Sequence, residues 1–251
     1  MPRQFLIVLS PLLTPISFVY FDLDDTLLDH RGAEKLALRR MYETIPELQR
    51  FDNLEQLQSI YHQINTKVWI QYADAVINKD SARVLRFTNL LLDVGVSDDN
   101  LSDNLGHLYL KLYANYWKWM DGAQEMFVRV ASHLKVGILT NGFAEVQRQK
   151  ISQFSELSRL ASCIVISEET GFMKPDPRIF DYATRESGFN ANEILFVGDS
   201  LRSDVRGGKN AGWTVAWLVD EIKPNERNIA DVTFSSWQEF EGEILPILVS
   251  S

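Results

Sequence analysis

The chain has 251 residues, of which 45% are hydrophobic and 24% are charged, as is typical of a globular protein with a sizeable core. Its formal net charge of −9 disfavours nonspecific binding to nucleic acid or to anionic membranes, but it allows a local basic pocket. The single cysteine, Cys163, excludes an internal disulfide framework and a Cys-rich zinc site, and it suits a reducing compartment, so we predict a cytoplasmic protein.

The N-terminal stretch from Phe5 to Ile16 is apolar and follows Arg3, so a signal peptide or a membrane span has to be weighed. Pro11 and Pro15 interrupt the stretch, the apolar run is shorter than a typical span, and no small-residue cleavage site follows it. We therefore predict a short extension that leads into the first strand.

The first predicted strand, at 18–21, runs directly into Asp22 and Asp24. Alternate residues of a strand share one face, so both carboxylates are expected to point the same way. Two like charges this close repel each other, which indicates either a bound metal ion or an acid/base role. The alternative is a turn that is rich in Asp, because Asp is a common turn residue.

The interval from about residue 31 to residue 119 has an almost continuously helical pattern that is rich in Leu, Gln, Tyr and Arg. This pattern differs from that of the rest of the chain, where short apolar runs alternate with helical segments. We predict an inserted all-helical cap at 31–120, between two parts of one core domain at 1–30 and 121–251.

After the insertion, short apolar runs recur and end in polar loops. They lie at 136–139, 163–166, 194–197 and 214–218. Such runs are typical of fully buried parallel strands, and helical patterns at 144–154 and 178–187 lie between some of them. This alternation predicts an α/β fold, a Rossmann-like doubly wound parallel sheet with its site at the carboxyl ends of the strands.

The polar residues after the second and third of these strands offer groups that bind anions. Thr140, Asn141 and Gly142 stand where a helix begins, so they either hold a phosphate or cap the helix in the ordinary way. Lys174, which precedes Pro175, has an ammonium group that could balance clustered carboxylates and grip a phosphate. A single lysine in a loop is, however, usually solvated surface.

The fourth strand runs into a segment that contains Asp199 and Asp204. Together with Asp22, these residues form a plausible set of oxygen ligands for magnesium, a hard cation that prefers carboxylates, phosphate and water. Asp204 could instead cap the helix that follows.

Four segments in chain order resemble the motifs of the haloacid dehalogenase-like (HAD) hydrolase superfamily. They are Asp22-Leu-Asp24-Asp-Thr26, Thr140, Lys174-Pro175, and the stretch from Gly198-Asp199 to Asp204. The resemblance spans most of the chain, and it implies a HAD-like core with a helical cap inserted after the first motif. It also implies magnesium-dependent hydrolysis of a small phosphate monoester.

The resemblance implies a role for each matching carboxylate. Asp22 would be the nucleophile that forms an aspartyl-phosphate, and Asp24 would protonate the leaving oxygen and then deprotonate the attacking water. Magnesium would be held by the side chains of Asp22 and Asp199 and by the backbone carbonyl of Asp24. Asp204 would hold the ion either directly or through another ligand.

The resemblance also implies how the phosphoryl group is bound. Thr140 and Lys174 would position it and stabilise its charge in the transition state. Asn141 and Gly142 would add backbone N–H donors. Asp24 argues against dehalogenation, because a released halide ion needs no proton and the founding dehalogenases lack an acid at this position.

Further segments resemble bacterial phosphatases of pyrimidine nucleoside monophosphates. They are Trp69-Ile-Gln-Tyr72, Leu139-Thr-Asn-Gly-Phe143, Ile166-Ser-Glu-Glu-Thr-Gly171 and Gly207-Gly-Lys-Asn-Ala-Gly212. We therefore predict a nucleotidase in which Trp69 and Tyr72 stack on a base. The alternative for these two residues, which are spaced i, i+3 on a helix, is packing in the core of the cap.

Other functions on the same fold stay open at this point. A phosphomutase, a sugar-phosphate phosphatase or a phosphoglycolate phosphatase would use the same core and differ in the cap. A non-catalytic HAD-fold binding or regulatory protein would not need every catalytic group, and all of them are present. We expect a monomer or a homodimer whose partner is a small molecule rather than a nucleic acid or a membrane.

Overall fold

The structure is a computed structural model that describes residues 15–226 and 228–250. Almost all of the predicted N-terminal extension therefore lies outside the described residues. The chain divides into two compact units. The sheet unit comprises the residues up to Asp29 and those from Trp119 onward, and the helical unit is His30–Lys118. No helix within the described residues is both long and apolar enough to cross a membrane.

The helical unit consists mainly of four helices, which are α1 (His30–Thr44), α2 (Leu54–Ala73), α3 (Lys79–Asp93) and α4 (Asp99–Ala114). The side chains of Asn53, Asn78 and Asp98 cap the last three of these helices by accepting backbone N–H bonds in the first turn. In the interior, the rings of Tyr61 and Tyr109 lie 5.4 Å apart between centroids. Capped helices around an aromatic interior explain why this long interval folds as a unit of its own.

The sheet unit is built on six parallel strands in the order β3-β2-β1-β4-β5-β6. The strands are β1 (Phe18–Phe21), β2 (Lys135–Thr140), β3 (Ala161–Ile166), β4 (Ile194–Gly198), β5 (Thr214–Leu218) and β6 (Val232–Phe234). The predicted α/β class with a Rossmann-like parallel sheet is confirmed. The sequence analysis missed β6, because three residues are too short to stand out as an apolar run.

Helices surround the sheet. They are α5 (Ala123–Ala131), α6 (Ala144–Gln153), α7 (Ser155–Leu160), α8 (Ser167–Thr170), α9 (Pro177–Ser187), α10 (Arg206–Asn210), α11 (Trp237–Glu239) and α12 (Leu245–Ser250). Short 3₁₀ or π turns also occur at Leu48–Arg50, Ala191–Glu193, Leu201–Val205, Pro224–Glu226 and Phe240–Ile244.

Both faces of the sheet are buried, and β1 lies at its centre. Alternate residues of β1 point to opposite faces. On one face, Phe21 packs edge-on against Phe127 of α5, with ring centroids 5.4 Å apart. On the other face, Tyr20 stacks on Trp213 at 5.2 Å. A strand covered on both faces has to be apolar throughout, which is why Phe-Val-Tyr-Phe precedes the first carboxylate.

Gly137, in the middle of β2, tests how tightly this core is packed. A Cβ atom there would lie 2.7 Å from Tyr20 and 2.9 Å from Phe18, both on the neighbouring strand. Gly137→Ala should lower the free energy of unfolding by about 1–3 kcal/mol through overpacking, as measured by denaturant titration. Gly242→Ala is the matched control, because a Cβ at Gly242 has no atom within 4 Å. Equal stability of the two variants would contradict this packing.

Candidate active site

Three neighbouring strands end in polar residues at one edge of the sheet. Asp22 follows β1, Thr140 is the last residue of β2, and Asp199 follows β4. The backbone N–H of Asp22 donates to the carbonyl of Val197 at 2.9 Å, so the pairing of β1 with β4 continues one residue beyond β1. With β2 on one side of β1 and β4 on the other, this is the switch point of the sheet, where doubly wound folds bind their ligands.

A buried lysine joins the carboxylates at this edge. The Lys174 ammonium donates to Asp22 Oδ1 at 2.6 Å, to Asp204 Oδ1 at 2.7 Å and to the carbonyl oxygen of Leu139 at 3.0 Å. Lys174 is only 2% exposed, so it is not an ordinary surface lysine. Three acceptors use the three N–H donors of the ammonium, as a buried cation requires.

The charges of this cluster shift one another's pKa values. Burial raises the pKa of Asp22 to about 7, while Lys174 opposes this rise and Asp204 adds to it. For Lys174, burial favours a lower pKa, but the adjacent carboxylates of Asp204 and Asp22 raise it above its usual value. The lysine is therefore held as a cation, and it partly compensates the two acids around it.

Three carboxylates are close enough to share a cation. Oxygen atoms of Asp22, Asp199 and Asp204 all lie within 4.8 Å of one another. A set of carboxylate oxygens without nitrogen or sulfur ligands matches the preference of magnesium. The residues of the cluster therefore fit the metal that the sequence predicts.

Asp204 is fixed in place by the chain around it. Its Oδ2 accepts the backbone N–H of Ser200 at 2.9 Å, in addition to the contact of its Oδ1 with Lys174. A Cβ atom at Gly198 would lie 2.5 Å from Oδ2 of Asp204. Only glycine at the end of β4 lets this carboxylate reach the edge of the sheet.

The carboxylate of Asp24 has partners of its own on α6. Its Oδ1 accepts from Lys150 Nζ at 2.6 Å, and its Oδ2 accepts from Gln147 Nε2 at 3.0 Å. The strand ends at Phe21, so strict strand alternation does not extend to Asp24. The side chains of Asp22 and Asp24 accordingly contact different lysines. Coordination of a metal by the Asp24 carbonyl stays a prediction.

Thr140 is linked to Asp24 through Gln147. The Nε2 group of Gln147 donates to Thr140 Oγ1 at 2.7 Å as well as to Asp24. Gln147 is 1% exposed. One buried amide thus joins the residue at the end of β2 to the second carboxylate after β1.

Asn141 and Gly142 make contacts within the protein. The Asn141 side chain donates to the carbonyl of Lys174 at 2.9 Å and accepts its backbone N–H at 2.8 Å. The Gly142 N–H donates to Ser167 Oγ at 3.0 Å. Asn141 therefore holds the lysine loop against the end of β2. Donation by Gly142 to a phosphate stays a prediction, and it would require exchange of the Ser167 contact.

The two predicted base-stacking residues lie on α2 of the helical unit. Trp69 and Tyr72 are each partly buried, and their rings meet edge-on with centroids 5.6 Å apart. This ring contact covers part of their surface. Stacking on a nucleobase and packing in the core of the cap both stay predictions for these two residues.

Sequence reasoning missed Gln147 and Lys150. The available signal was their i, i+3 spacing on a helix that begins just after Thr140, which places both side chains on one face. Nothing in that spacing tells whether the face is turned toward the sheet edge or toward solvent. In the structure, this face of the helix is turned toward the edge of the sheet.

Comparison with known proteins identifies the family. A family model described as haloacid dehalogenase-like hydrolase matches residues 16–212. The Bacillus subtilis protein YfnB is 32% identical over 206 residues, which cover 82% of this chain and 85% of YfnB. The pyrimidine 5'-nucleotidase YjjG of Escherichia coli is 28% identical over 226 residues, which cover 89% of this chain and 96% of YjjG.

The fold comparison agrees with these matches. The crystal structure of YfnB from Bacillus subtilis bound to magnesium has a TM-score of 0.78 and 28% identity, and the match covers 91% of this chain and 98% of that one. Together with the strand-edge carboxylates and the buried lysine, these similarities confirm the family that the four motifs predict. The chain belongs to the haloacid dehalogenase-like hydrolase family.

Proposed function

We propose that this protein is a magnesium-dependent phosphatase that hydrolyses nucleoside 5'-monophosphates through an aspartyl-phosphate. The observation that carries the proposal is the contact between Asp22 and the buried Lys174, beside Asp199 and Asp204. This arrangement sets a potential nucleophile next to a fixed cation and a set of metal ligands. A protein that only bound phosphate would gain nothing from burying so many acids next to its ligand.

In the proposed reaction, Asp22 attacks the phosphorus atom and displaces the alcohol. Asp24 gives its proton to the leaving oxygen as the ester bond breaks, which leaves an aspartyl-phosphate and an Asp24 carboxylate. In the second half, Asp24 takes a proton from water, and the resulting hydroxide attacks phosphorus and releases Asp22. Phosphate leaves, and Asp24 is again protonated, so the enzyme returns to its starting state.

The groups around Asp22 support this chemistry by charge and position. Lys174 would exchange one of its three present acceptors for a phosphoryl oxygen and bind the group together with Thr140, because the transition state needs charge stabilisation and alignment more than covalent help. Asp22, Asp199 and Asp204 would hold magnesium. When bound, the ion would reduce the repulsion between the carboxylate nucleophile and the phosphoryl oxygens.

The substrate class rests on two further points. The pyrimidine 5'-nucleotidase of Escherichia coli aligns with this chain over nearly its whole length. The chain also carries an aromatic pair, Trp69 and Tyr72, that could stack on a base. A cytoplasmic enzyme with these features would act on free nucleotides rather than on nucleic acid, in keeping with the negative net charge.

A substrate screen tests the activity and the metal together. Purified protein is incubated with pyrimidine and purine nucleoside monophosphates, sugar phosphates and phosphoglycolate, with magnesium or with EDTA, and released phosphate is measured. We expect the highest kcat/KM with a pyrimidine nucleoside monophosphate and a loss of turnover in EDTA that magnesium restores. Preference for a sugar phosphate would overturn the substrate class, and no metal-dependent turnover on any ester would overturn the phosphatase.

The nucleophile is tested by Asp22→Asn. Loss of the attacking oxygen should reduce kcat by at least about 10³-fold without unfolding the protein, as checked by circular dichroism. Asp181→Asn is a control in which an exposed acid on α9 loses the same charge, and it should retain full activity. Appreciable turnover by Asp22→Asn would contradict the assignment.

The charge balance is tested by Lys174→Met in EDTA. Removing the cation leaves Asp22 and Asp204 buried together, which should lower the free energy of unfolding by about 3 kcal/mol. Adding Asp204→Asn should recover part of this loss, since one of the two charges is gone.

Lys209→Met provides the comparison for this experiment. Its ammonium pairs with Asp231 at 2.6 Å, but both side chains are more than one-third exposed, so the change should cost about 1 kcal/mol or less. Equal losses for the two lysines would contradict the role of Lys174 as a buried countercharge.

A further inference from the structure

We propose that Lys150 and Gln147 are positioning residues that hold the side chain of Asp24 for the hydrolysis of the phosphoenzyme. The inference rests on the proposed function. It starts from the contacts of Asp24, which receives a 2.6 Å bond from Lys150 on one oxygen and a 3.0 Å bond from Gln147 on the other. With both oxygens held, the plane of the carboxylate is fixed against α6.

The burial of Lys150 separates this ion pair from an incidental surface contact. Lys150 is 2% exposed, and a buried ammonium is costly unless a partner compensates its charge. On the same helix, Arg148 pairs with Glu169 at 2.7 Å, but its side chain is 49% exposed, as in an ordinary surface pair. The cation that contacts Asp24 is thus buried, whereas Arg148 on the same helix is exposed to solvent.

The amide orientation of Gln147 follows from the acceptors of its Nε2, which are Asp24, Thr140 and the carbonyl oxygen of Asn141 at 3.3 Å. If the amide were flipped, its oxygen would face the Asp24 carboxylate, and two acceptors would repel each other. With Nε2 toward Asp24, the same group donates to Thr140 Oγ1 at 2.7 Å. Thr140 therefore acts as an acceptor toward Gln147. Its own hydroxyl donates to the carbonyl oxygen of Asn141 at 3.4 Å, and it would exchange this long contact to donate to a phosphoryl oxygen.

Gly142 makes room for this arrangement. A Cβ atom at Gly142 would lie 2.8 Å from Cγ of Gln147 and 2.9 Å from its Cδ. Contacts this short would push the Gln147 amide away from Thr140 and Asp24. The glycine after Thr140 and Asn141 thus serves the position of a side chain five residues further along the chain.

The two contacts suit one particular stage of the proposed reaction. After Asp24 has protonated the leaving oxygen, it is a carboxylate, and Lys150 and Gln147 both donate to that form. The carboxylate then accepts one proton from water while the hydroxide oxygen bonds to phosphorus and the bond to Asp22 breaks. Loss of either donor should therefore slow this second half more than the first.

An aryl phosphate as substrate allows the two halves of the reaction to be measured separately. The leaving group of p-nitrophenyl phosphate needs no protonation, so the first half proceeds without the acid and the second half still needs the base. For Lys150→Met, we expect a burst of about one p-nitrophenolate per enzyme, followed by a steady rate reduced about tenfold or more. Gln147→Met should show the same pattern, and Arg148→Met should match the unaltered enzyme in burst and rate.

If Lys150 and Gln147 only connected α6 to the turn after β1 and had no role in the reaction, we would expect a different result. Lys150→Met and Gln147→Met would then have a lower free energy of unfolding, but the enzyme that remains folded would show no burst of p-nitrophenolate. Steady rates are therefore expressed per folded active site, counted by trapping of the phosphoenzyme. If Lys150→Met does not fold, Gln147→Met decides the outcome by the same measurement.

A double-variant cycle completes the test. In the Asp24→Asn background there is no base to position, so adding Lys150→Met should change the steady rate by less than about threefold. A full tenfold loss in that background, or the absence of a burst in both single variants, would overturn the proposal. Failure of the proposed function looks different, because Asp22→Asn or Asp24→Asn would then retain the activity of the unaltered enzyme.

Discussion

The ion cluster around Lys174 is the interaction on which the site depends. Asp22 and Asp204 lie in a protein interior where two uncompensated carboxylates would be strongly unfavourable, and the ammonium contacts both. The loop that carries Lys174 must therefore fold back onto the end of β2, where the Asn141 side chain holds its backbone by two hydrogen bonds. The position of this loop is thus set by the ion pairs of Lys174 with the two buried carboxylates.

The sheet provides the second constraint. Parallel strands end at a common edge, and the reversal of strand order beside β1 opens a crevice there. The same geometry requires small residues where side chains have to come close to the backbone. Gly198 lets Asp204 approach the end of β4, and Gly142 lets Gln147 approach the end of β2. Close packing around the acids explains Gly198, and Gly142 is required both by this packing and by its backbone φ of +155°.

The sequence predicted the parts of the site that follow strand ends, and it missed the parts that depend on tertiary packing. The α/β class, five of the strands and the positions of Asp22, Thr140 and Asp199 at the ends of their strands follow from apolar runs and the polar residues next to them. Lys174 alone reads as a surface lysine, because its burial depends on Asp22, 152 residues away. Lys150 is 126 residues from Asp24, and no local pattern links them.

Asp22 and Asp24, which follow β1, each contact a different lysine. Lys174 contacts Asp22, and Lys150 contacts Asp24, so these two carboxylates, which are only two residues apart, sit in distinct electrostatic environments. Separate partners suit a pair with different chemical tasks, since the surroundings of a carboxylate determine whether it acts as a nucleophile or as an acid and base. Lys174 also contacts Asp204 and lies beside the candidate metal ligands, whereas Lys150 holds an acid whose other oxygen is bound by an amide. The different roles inferred for Asp22 and Asp24 thus have a physical basis in the elements that supply their partners. The loop after α8 supplies the partner of Asp22, and α6 supplies the partner of Asp24.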